Sequence, residues 1–358
     1  MIFKEEVNNI VTVTKIHSNY YYVVLNNIVL ECMLRNKLKK EGIDVKVGDK
    51  VLIDEVNHEN NTAVITEVLP RRNSLDKPNV ANIDQIVIVI SPDKPTFSPL
   101  ILEKFIILTE SSDITPIICV NKSDLMTDDI RDYLDKTYVS VGYKVIYTSA
   151  LEKIGLEELR DALLGRVSVF SGVSGVGKSS LLNTLDSSLR LETGEVSKLL
   201  GSGTHTTRFV CLLKLFFNDK YALIADTPGF SFMEFNNIDS SQLAWYFKEF
   251  VPFIPDCQLS SCLHWKEPYC KVKDNIDTES VRYNNYLKIL QDILDLEKIS
   301  KARSSKKEDK FKLSKRADGK QISVVKLGSQ SRESSRKVLR QELSKIEKIN
   351  VLDEFNDI

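Results

Sequence analysis

Short runs in which apolar and polar positions alternate open the chain, and longer unbroken apolar runs follow them. Over residues 2–69 the runs are Asn9–Ile16, Tyr20–Leu25, Ile28–Met33, Lys50–Val56 and Ala63–Val68, all rich in Val, Ile, Thr and Tyr. Turn signals separate them: His17-Ser18-Asn19, Asn26-Asn27, Val47-Gly48-Asp49 and Glu59-Asn60-Asn61. This spacing predicts a five-stranded barrel of the OB type over residues 1–70, a fold that often holds nucleic acid. The rings of Tyr20, Tyr21 and Tyr22 suit base stacking and suit an ordinary strand equally well. The polar stretch 71–79, with Arg71, Arg72, Asp76, Lys77 and Pro78, reads as a linker.

From residue 80 to 238 strands and helices alternate. Apolar runs at Ile83–Ile90, Ile114–Val120, Lys144–Tyr147, Val167–Phe170, Phe209–Phe217 and Tyr221–Ala225 predict strands. Helical spacing occupies Leu100–Thr109, Asp128–Asp135, Gly155–Leu164 and the stretch from Ser180 onward. The series predicts a doubly wound α/β domain with ligands at the carboxyl ends of its strands. Residues 239–298 are predicted as a small helical domain, with an amphipathic helix over Arg282–Lys298. Residues 299–358 carry no strong period, and disorder is expected there, with ordering on RNA.

The Val167–Phe170 strand runs into Gly172-Val173-Ser174-Gly175-Val176-Gly177-Lys178-Ser179-Ser180, a phosphate-binding P-loop. Glycines let consecutive N–H groups converge on one anion, and the helix N-terminus adds its dipole. Lys178 is placed for the β- and γ-phosphates, and the Ser179 hydroxyl for Mg²⁺. Asn121-Lys122-Ser123-Asp124 follows an apolar strand, as a guanine reader does. The Asp124 carboxylate can accept from guanine N1–H and the 2-amino group, a donor pair adenine lacks. Asn121 would tie the loop to its neighbours, Lys122 would lay its stem over the ring, and Ser149-Ala150 would offer a backbone N–H to the guanine oxygen. Asp226-Thr227-Pro228-Gly229 supplies an aspartate for Mg²⁺ through water and a glycine N–H for the γ-phosphate. Either Thr206 or Thr207 can reach Mg²⁺ in the triphosphate state.

In an ordinary GTPase the P-loop comes first and Asn-Lys-x-Asp last. Here Asn121 and Ser149 precede Gly172, so the domain is circularly permuted. Phe230 stands where Ras-like proteins place a water-orienting glutamine. His205 in the switch loop is the candidate catalytic replacement beside Lys178. A slow intrinsic rate that a partner raises is expected.

Cys257-x4-Cys262-x-His264-x5-Cys270 offers three thiolates and an imidazole, a closed set suited to one structural Zn²⁺. Cys32, Cys119 and Cys211 lie in strand-like surroundings and read as core residues. The formal net charge of −1 conceals an asymmetry. Residues 301–348 carry 16 Lys/Arg against 6 Asp/Glu, which suggests an anionic partner such as nucleic acid, or a solvated tail. No apolar stretch approaches the ~20 residues of a membrane span, and the N-terminus lacks targeting character. A cytoplasmic monomer without a membrane partner is expected.

Together these motifs resemble the circularly permuted GTPases of the RsgA/YjeQ family, which depend on the small ribosomal subunit. The similarity covers about residues 1–295 and includes Gly203-x-His205-Thr206-Thr207 and His264-x-x-Glu267-Pro268-x-Cys270. The resemblance implies GTP hydrolysis stimulated by the small subunit, a role late in its assembly, contact with its rRNA, departure after turnover, and a part for His205 in hydrolysis. Arg208 departs from the family's frequent third threonine. The residues alone also fit an RNA-binding protein with GTP as a structural ligand, or a GTPase acting on another RNA or protein.

Overall fold

The computed structural model describes residues 9–26, 28–76, 78–187, 211–217, 220–226, 238–308, 311–315 and 321–325, with backbone alone at 226 and beyond 300. Residues Met1–Asp295 form one unit and Leu296–Ile358 a second.

The first five strands are β1 (Ile10–His17), β2 (Tyr20–Leu25), β3 (Ile28–Leu34), β4 (Lys50–Asn57) and β5 (Thr62–Val68), with a short helix α1 (Asn36–Lys40) before β4. Their order β1-β2-β3-β5-β4 closes through β1–β4 pairing. The period-two pattern turns Val11, Val13, Val23, Leu30, Val51, Ile53 and Ile65 inward to fill the barrel. This is the expected OB-type barrel, and Cys32 sits in its core.

The stretch expected as a linker is instead built into the fold. Ser74–Asp76 (β6) and Asn79–Ala81 (β7) form a hairpin. Arg71 pairs with the fully buried Asp49 of the barrel at 2.7 and 2.9 Å. Lys46 Nζ donates to Asp76 at 2.8 Å and to the Leu75 carbonyl at 3.1 Å. Gly48 lies so close that a Cβ there would come within 2.1 Å of the Ala81 carbonyl oxygen. Arg71 and Asp76, two of the charges that made the stretch read as a linker, pair with the barrel, and Arg72 pairs with Asp84 at 2.7 Å.

Beyond it come β8 (Gln85–Ile90), α2 (Pro99–Glu110), β9 (Thr115–Val120), α3 (Asp128–Leu134), β10 (Lys144–Tyr147), α4 (Leu156–Leu163), β11 (Val167–Ser171), α5 (Lys178–Leu185), β12 (Cys211–Phe217) and β13 (Lys220–Asp226). The sheet runs β10-β9-β8-β11-β13-β12, all parallel except β12. Helices cover both faces, so β8 and β11 are buried along their whole length, and apart from Gln85, Ser168 and Ser171 their residues are apolar. Leu102, Phe105, Ile106 and Leu134 pack on one face. Leu159, Leu163, Leu181 and Leu185 pack on the other. The barrel joins this sheet at its β12 edge through the Lys15–Cys211 pair, so Cys211 lies half-buried at a seam rather than in a core. Of the expected strand Phe209–Phe217, the first two residues lie outside the described ones.

The following region has short turns, a small helix α6 (Lys271–Asn275) and a long helix α7 (Val281–Glu308). Its core of Phe247, Phe250, Tyr286, Ile289 and Ile293 is continuous with Ile107 of α2. α7 outlasts the expected Lys298 because Lys, Ala and Arg sustain a helix after the apolar period ends. Disorder was expected over 299–358. Among the described residues that stretch holds the end of α7 and a hairpin of β14 (Phe311–Lys315) with β15 (Gln321–Val325). Alternation at Phe311/Leu313 and Ile322/Val324 is the local signal for it.

Candidate nucleotide and metal sites

The P-loop occupies the turn between β11 and α5, at the carboxyl end of a central strand. Gly172 and Gly177 have φ of +140° and +94°. A Cβ on Gly172 would meet the Val89 carbonyl oxygen at 2.2 Å, and one on Gly177 would meet Asn121 Nδ2 at 2.5 Å. Both positions therefore demand glycine. Lys178 Nζ donates to the carbonyls of Gly172 at 2.7 Å and Val173 at 3.0 Å. Burial lowers its pKa, a shift that a nearby phosphate would oppose. Ser179 and Ser180 stand in the first turn of α5, with Ser174 and Gly175 exposed at the tip of the loop. An apolar cleft between this loop and α2 is lined by Val173, Val176, Phe97 and Phe105.

The loops after β9 and β10 close on the same end of the sheet. Asn121 is buried, and its Nδ2 donates to the Val176 carbonyl at 2.9 Å. Its Oδ1 accepts from the Ala150 N–H at 3.3 Å and from Thr148 Oγ1 at 3.5 Å. One side chain thus ties three loops together, as its position predicted. Lys122 Nζ donates to Gly175 O at 2.9 Å and Lys94 O at 2.6 Å, which lays its methylene stem across the P-loop. Ser149 Oγ donates to Asp124 Oδ1 at 2.5 Å and accepts from the Glu152 N–H at 3.0 Å, orienting the carboxylate. Of the Ser149-Ala150 pair, expected to offer a backbone N–H to a guanine oxygen, the Ala150 N–H is directed at Asn121 Oδ1 and the Ser149 N–H at the Ile154 carbonyl.

β13 ends at Asp226 and pairs in parallel with the P-loop strand β11, Val169 opposite Ala225. The Asp226 side chain, the switch residues His205, Thr206 and Thr207, and Gly229 lie outside the described residues.

The cysteine–histidine cluster assembles as expected. The ligand atoms of Cys257, Cys262, His264 and Cys270 lie within 4.8 Å of one another. Cys257 Sγ is 4.0 Å from Cys270 Sγ and 3.7 Å from His264 Nδ1, which is 3.3 Å from Cys270 Sγ. A tetrahedral Zn²⁺ with ~2.3 Å thiolate bonds has ligand–ligand edges of about 3.8 Å, so the set fits that ion. Burial pushes the Cys262 thiol up to about 12 and holds the His264 ring neutral, the form a metal ligand needs. Spacing alone did not assign the supports of this cluster. Glu267 accepts from the Leu263 and Trp265 N–H groups, both at 3.0 Å. Lys273 Nζ donates to the Trp265 and Glu267 carbonyls at 3.0 and 2.8 Å.

The family description "RsgA GTPase" matches residues 68–236, and "RsgA N-terminal domain" matches residues 12–65. A relative from Caldanaerobacter subterraneus named small ribosomal subunit biogenesis GTPase RsgA is 40% identical over 284 residues, 78% of this chain and 94% of the relative. One from Oceanobacillus iheyensis, named small ribosomal subunit biogenesis GTPase RsgA 2, is 42% identical over 287 residues, covering 78% and 96%. The crystal structure of YjeQ from Thermotoga maritima superposes with a TM-score of 0.69 at 35% identity, over 80% of this chain and 98% of that one. YloQ, described as a circularly permuted GTPase, superposes with a TM-score of 0.67 at 32% identity, over 80% and 95%.

Proposed function

The chain belongs to the RsgA GTPase family, and from that premise we propose that it hydrolyses GTP to GDP and phosphate while assisting late maturation of the small ribosomal subunit. The observation that carries this reading is the Asn121 side chain, which joins the P-loop at Val176 to the guanine-reading loop at Ala150. Base recognition and phosphate binding thereby share one rigid frame.

In this reading the Gly172–Ser180 turn cradles the phosphates through its N–H groups, and Lys178 exchanges its carbonyl partners for phosphate oxygens. Asp124, fixed by Ser149, reads guanine, with the Lys122 stem over the ring. Ser179, one of Thr206 and Thr207, and Asp226 through water would hold Mg²⁺, whose positive charge would offset that of the phosphates. Gly229 donates to the γ-phosphate. His205 orients water and accepts its proton, in place of the glutamine that Phe230 replaces. Cys257, Cys262, His264 and Cys270 hold one structural Zn²⁺ that stabilises the loops around it.

The barrel, the zinc region and the basic tail supply contacts to rRNA, and the nucleotide domain times release. Among the described residues no helix is long and apolar enough to cross a membrane. The ribosomal role supports placing the protein in the cytoplasm, and we take it to act as a monomer. The test is GTP turnover alone and with small subunits, large subunits or bulk RNA. Stimulation by small subunits alone, lost in Lys178→Ala and strongly reduced in His205→Ala, is expected. Equal turnover in every mixture would remove the subunit as activator. Tight binding without turnover would make GTP a structural ligand.

A further inference from the structure

The start of α7 holds two bodies at once. Arg282, almost wholly buried, donates from Nη1 to both carboxylate oxygens of Glu103 in α2, at 3.1 and 3.0 Å. Its Nε donates to Glu249 at 2.5 Å. The guanidinium also lies over the rings of Phe247, Tyr143 and Tyr138, 5.1 to 5.4 Å from their centres. Tyr138 donates its hydroxyl to Glu103 at 2.9 Å and completes the enclosure. Burial disfavours the charge on Arg282, but Glu103 and Glu249 outweigh it and keep the guanidinium protonated.

The next residue faces the metal cluster. Tyr283 donates its hydroxyl to the carbonyl of His264 at 2.8 Å, and Tyr286 donates to the carbonyl of Leu263 at 2.5 Å. Phe250 packs against both rings, 5.0 Å from that of Tyr286 and 6.3 Å from that of Tyr283, and lies 6.4 Å from that of His264. These two carbonyls belong to the turn that Glu267 holds from its N–H side. A turn gripped on both sides has one conformation in which its Cys262 and His264 ligands converge. Helix α2, at the other end of this chain of contacts, begins at Pro99 with Ser98 as its cap, shortly after the loop whose Lys94 carbonyl accepts from Lys122.

We propose that the first two turns of α7 couple occupancy of the Cys257/Cys262/His264/Cys270 site to the packing of α2 in the nucleotide domain. Arg282, Tyr283 and Tyr286 act as positioning residues. The proposal rests on the zinc assignment above. Metal binding fixes the Leu263–His264 turn, which fixes Tyr283 and Tyr286. These hold α7 in the register that delivers Arg282 to Glu103. Linkage makes the coupling reciprocal: whatever metal contributes to α2, the Glu103–Arg282 pair contributes equally to metal affinity. Glu103 bonds to Tyr138 and Arg282, neither of which belongs to the metal cluster, so an effect on metal binding is not expected from local chemistry.

The experiment uses the full chain at fixed pH near neutrality. Bound zinc is quantified first, then zinc affinity by competition with a chromophoric chelator, and then hydrogen exchange of α2 amides with and without metal. In the wild type, chelation is expected to speed exchange in α2 about tenfold while β8 amides stay unchanged. Glu103→Gln is expected to weaken zinc affinity by about fivefold and to abolish the effect of chelation on α2. Tyr283→Phe, which removes one hydroxyl and leaves every ligand and the ion pair in place, is expected to do the same by a smaller factor and stands in should Glu103→Gln not fold. Bound zinc with unchanged α2 exchange on chelation would overturn the coupling alone. A wild-type chain that binds no zinc would overturn the metal assignment and the coupling with it.

Discussion

Gly177 carries two demands, a backbone at φ +94° and room for Asn121 Nδ2 at 2.5 Å from where a Cβ would lie. Gly177→Ala must displace Asn121 and with it the bonds to Val176 and Ala150. We expect GTP affinity to fall about tenfold or more, read by titration with a fluorescent analogue, with the fold intact by circular dichroism. Unchanged affinity would show that the Asn121 tie is dispensable. Glu103 offers a test of sign. Burial raises its carboxyl from 4.5 to about 7, although Arg282 and Tyr138 oppose the shift. A raised carboxyl pKa contributes stability that is complete below the unfolded value and is lost as pH rises through the folded one. Glu103→Gln should therefore cost less stability at about pH 8 than at about pH 5 in urea unfolding. Equal costs at both pH values would mean that Arg282 keeps Glu103 ionised throughout.

Elements whose meaning is local were legible along the chain. Strand, glycine turn and helix at 167–185 follow from apolar run, special backbone and helix start, all within one short window. The cysteine–histidine spacing likewise picked out four side chains that come together in the fold. The stretch 71–79 was misread because its charges find partners far back in sequence, Arg71 at Asp49 and Asp76 at Lys46. The support of the metal turn was hidden for the same reason, since Tyr283 and Tyr286 reach it from α7. A prediction belongs at this scale. Chelation should unfold the segment around Cys257–Cys270, seen as faster hydrogen exchange there, while GTP binding survives, because the P-loop and Asn121 make no bond to the cluster. Loss of GTP binding at the same chelator concentration would make the two one cooperative unit.

At the scale of the molecule, an acidic body carries a basic segment, with 16 Lys/Arg against 6 Asp/Glu in residues 301–348. If that segment contacts rRNA phosphates, binding to the small subunit must weaken as salt rises, by release of counterions. Replacing Lys306, Lys307, Lys312 and Lys315 with Gln should make the log–log salt slope shallower by about three, with intrinsic GTP turnover unchanged. An unaltered slope would assign the tail no phosphate contact. The order of motifs, guanine reader before P-loop, was also visible in the chain, and the strand order β10-β9-β8-β11-β13-β12 is its spatial counterpart.

The sequence by itself determined the barrel, the permuted α/β domain, the glycine turn between β11 and α5, and the grouping of Cys257, Cys262, His264 and Cys270. Each rests on residue types whose chemistry acts within a few positions of themselves. Only the tertiary structure decided that residues 71–81 clamp the barrel, and that Arg282 meets Glu103 across 179 positions of chain. A buried charge selects its partner by proximity in the folded state, and that proximity leaves no period or spacing in the chain to be read beforehand.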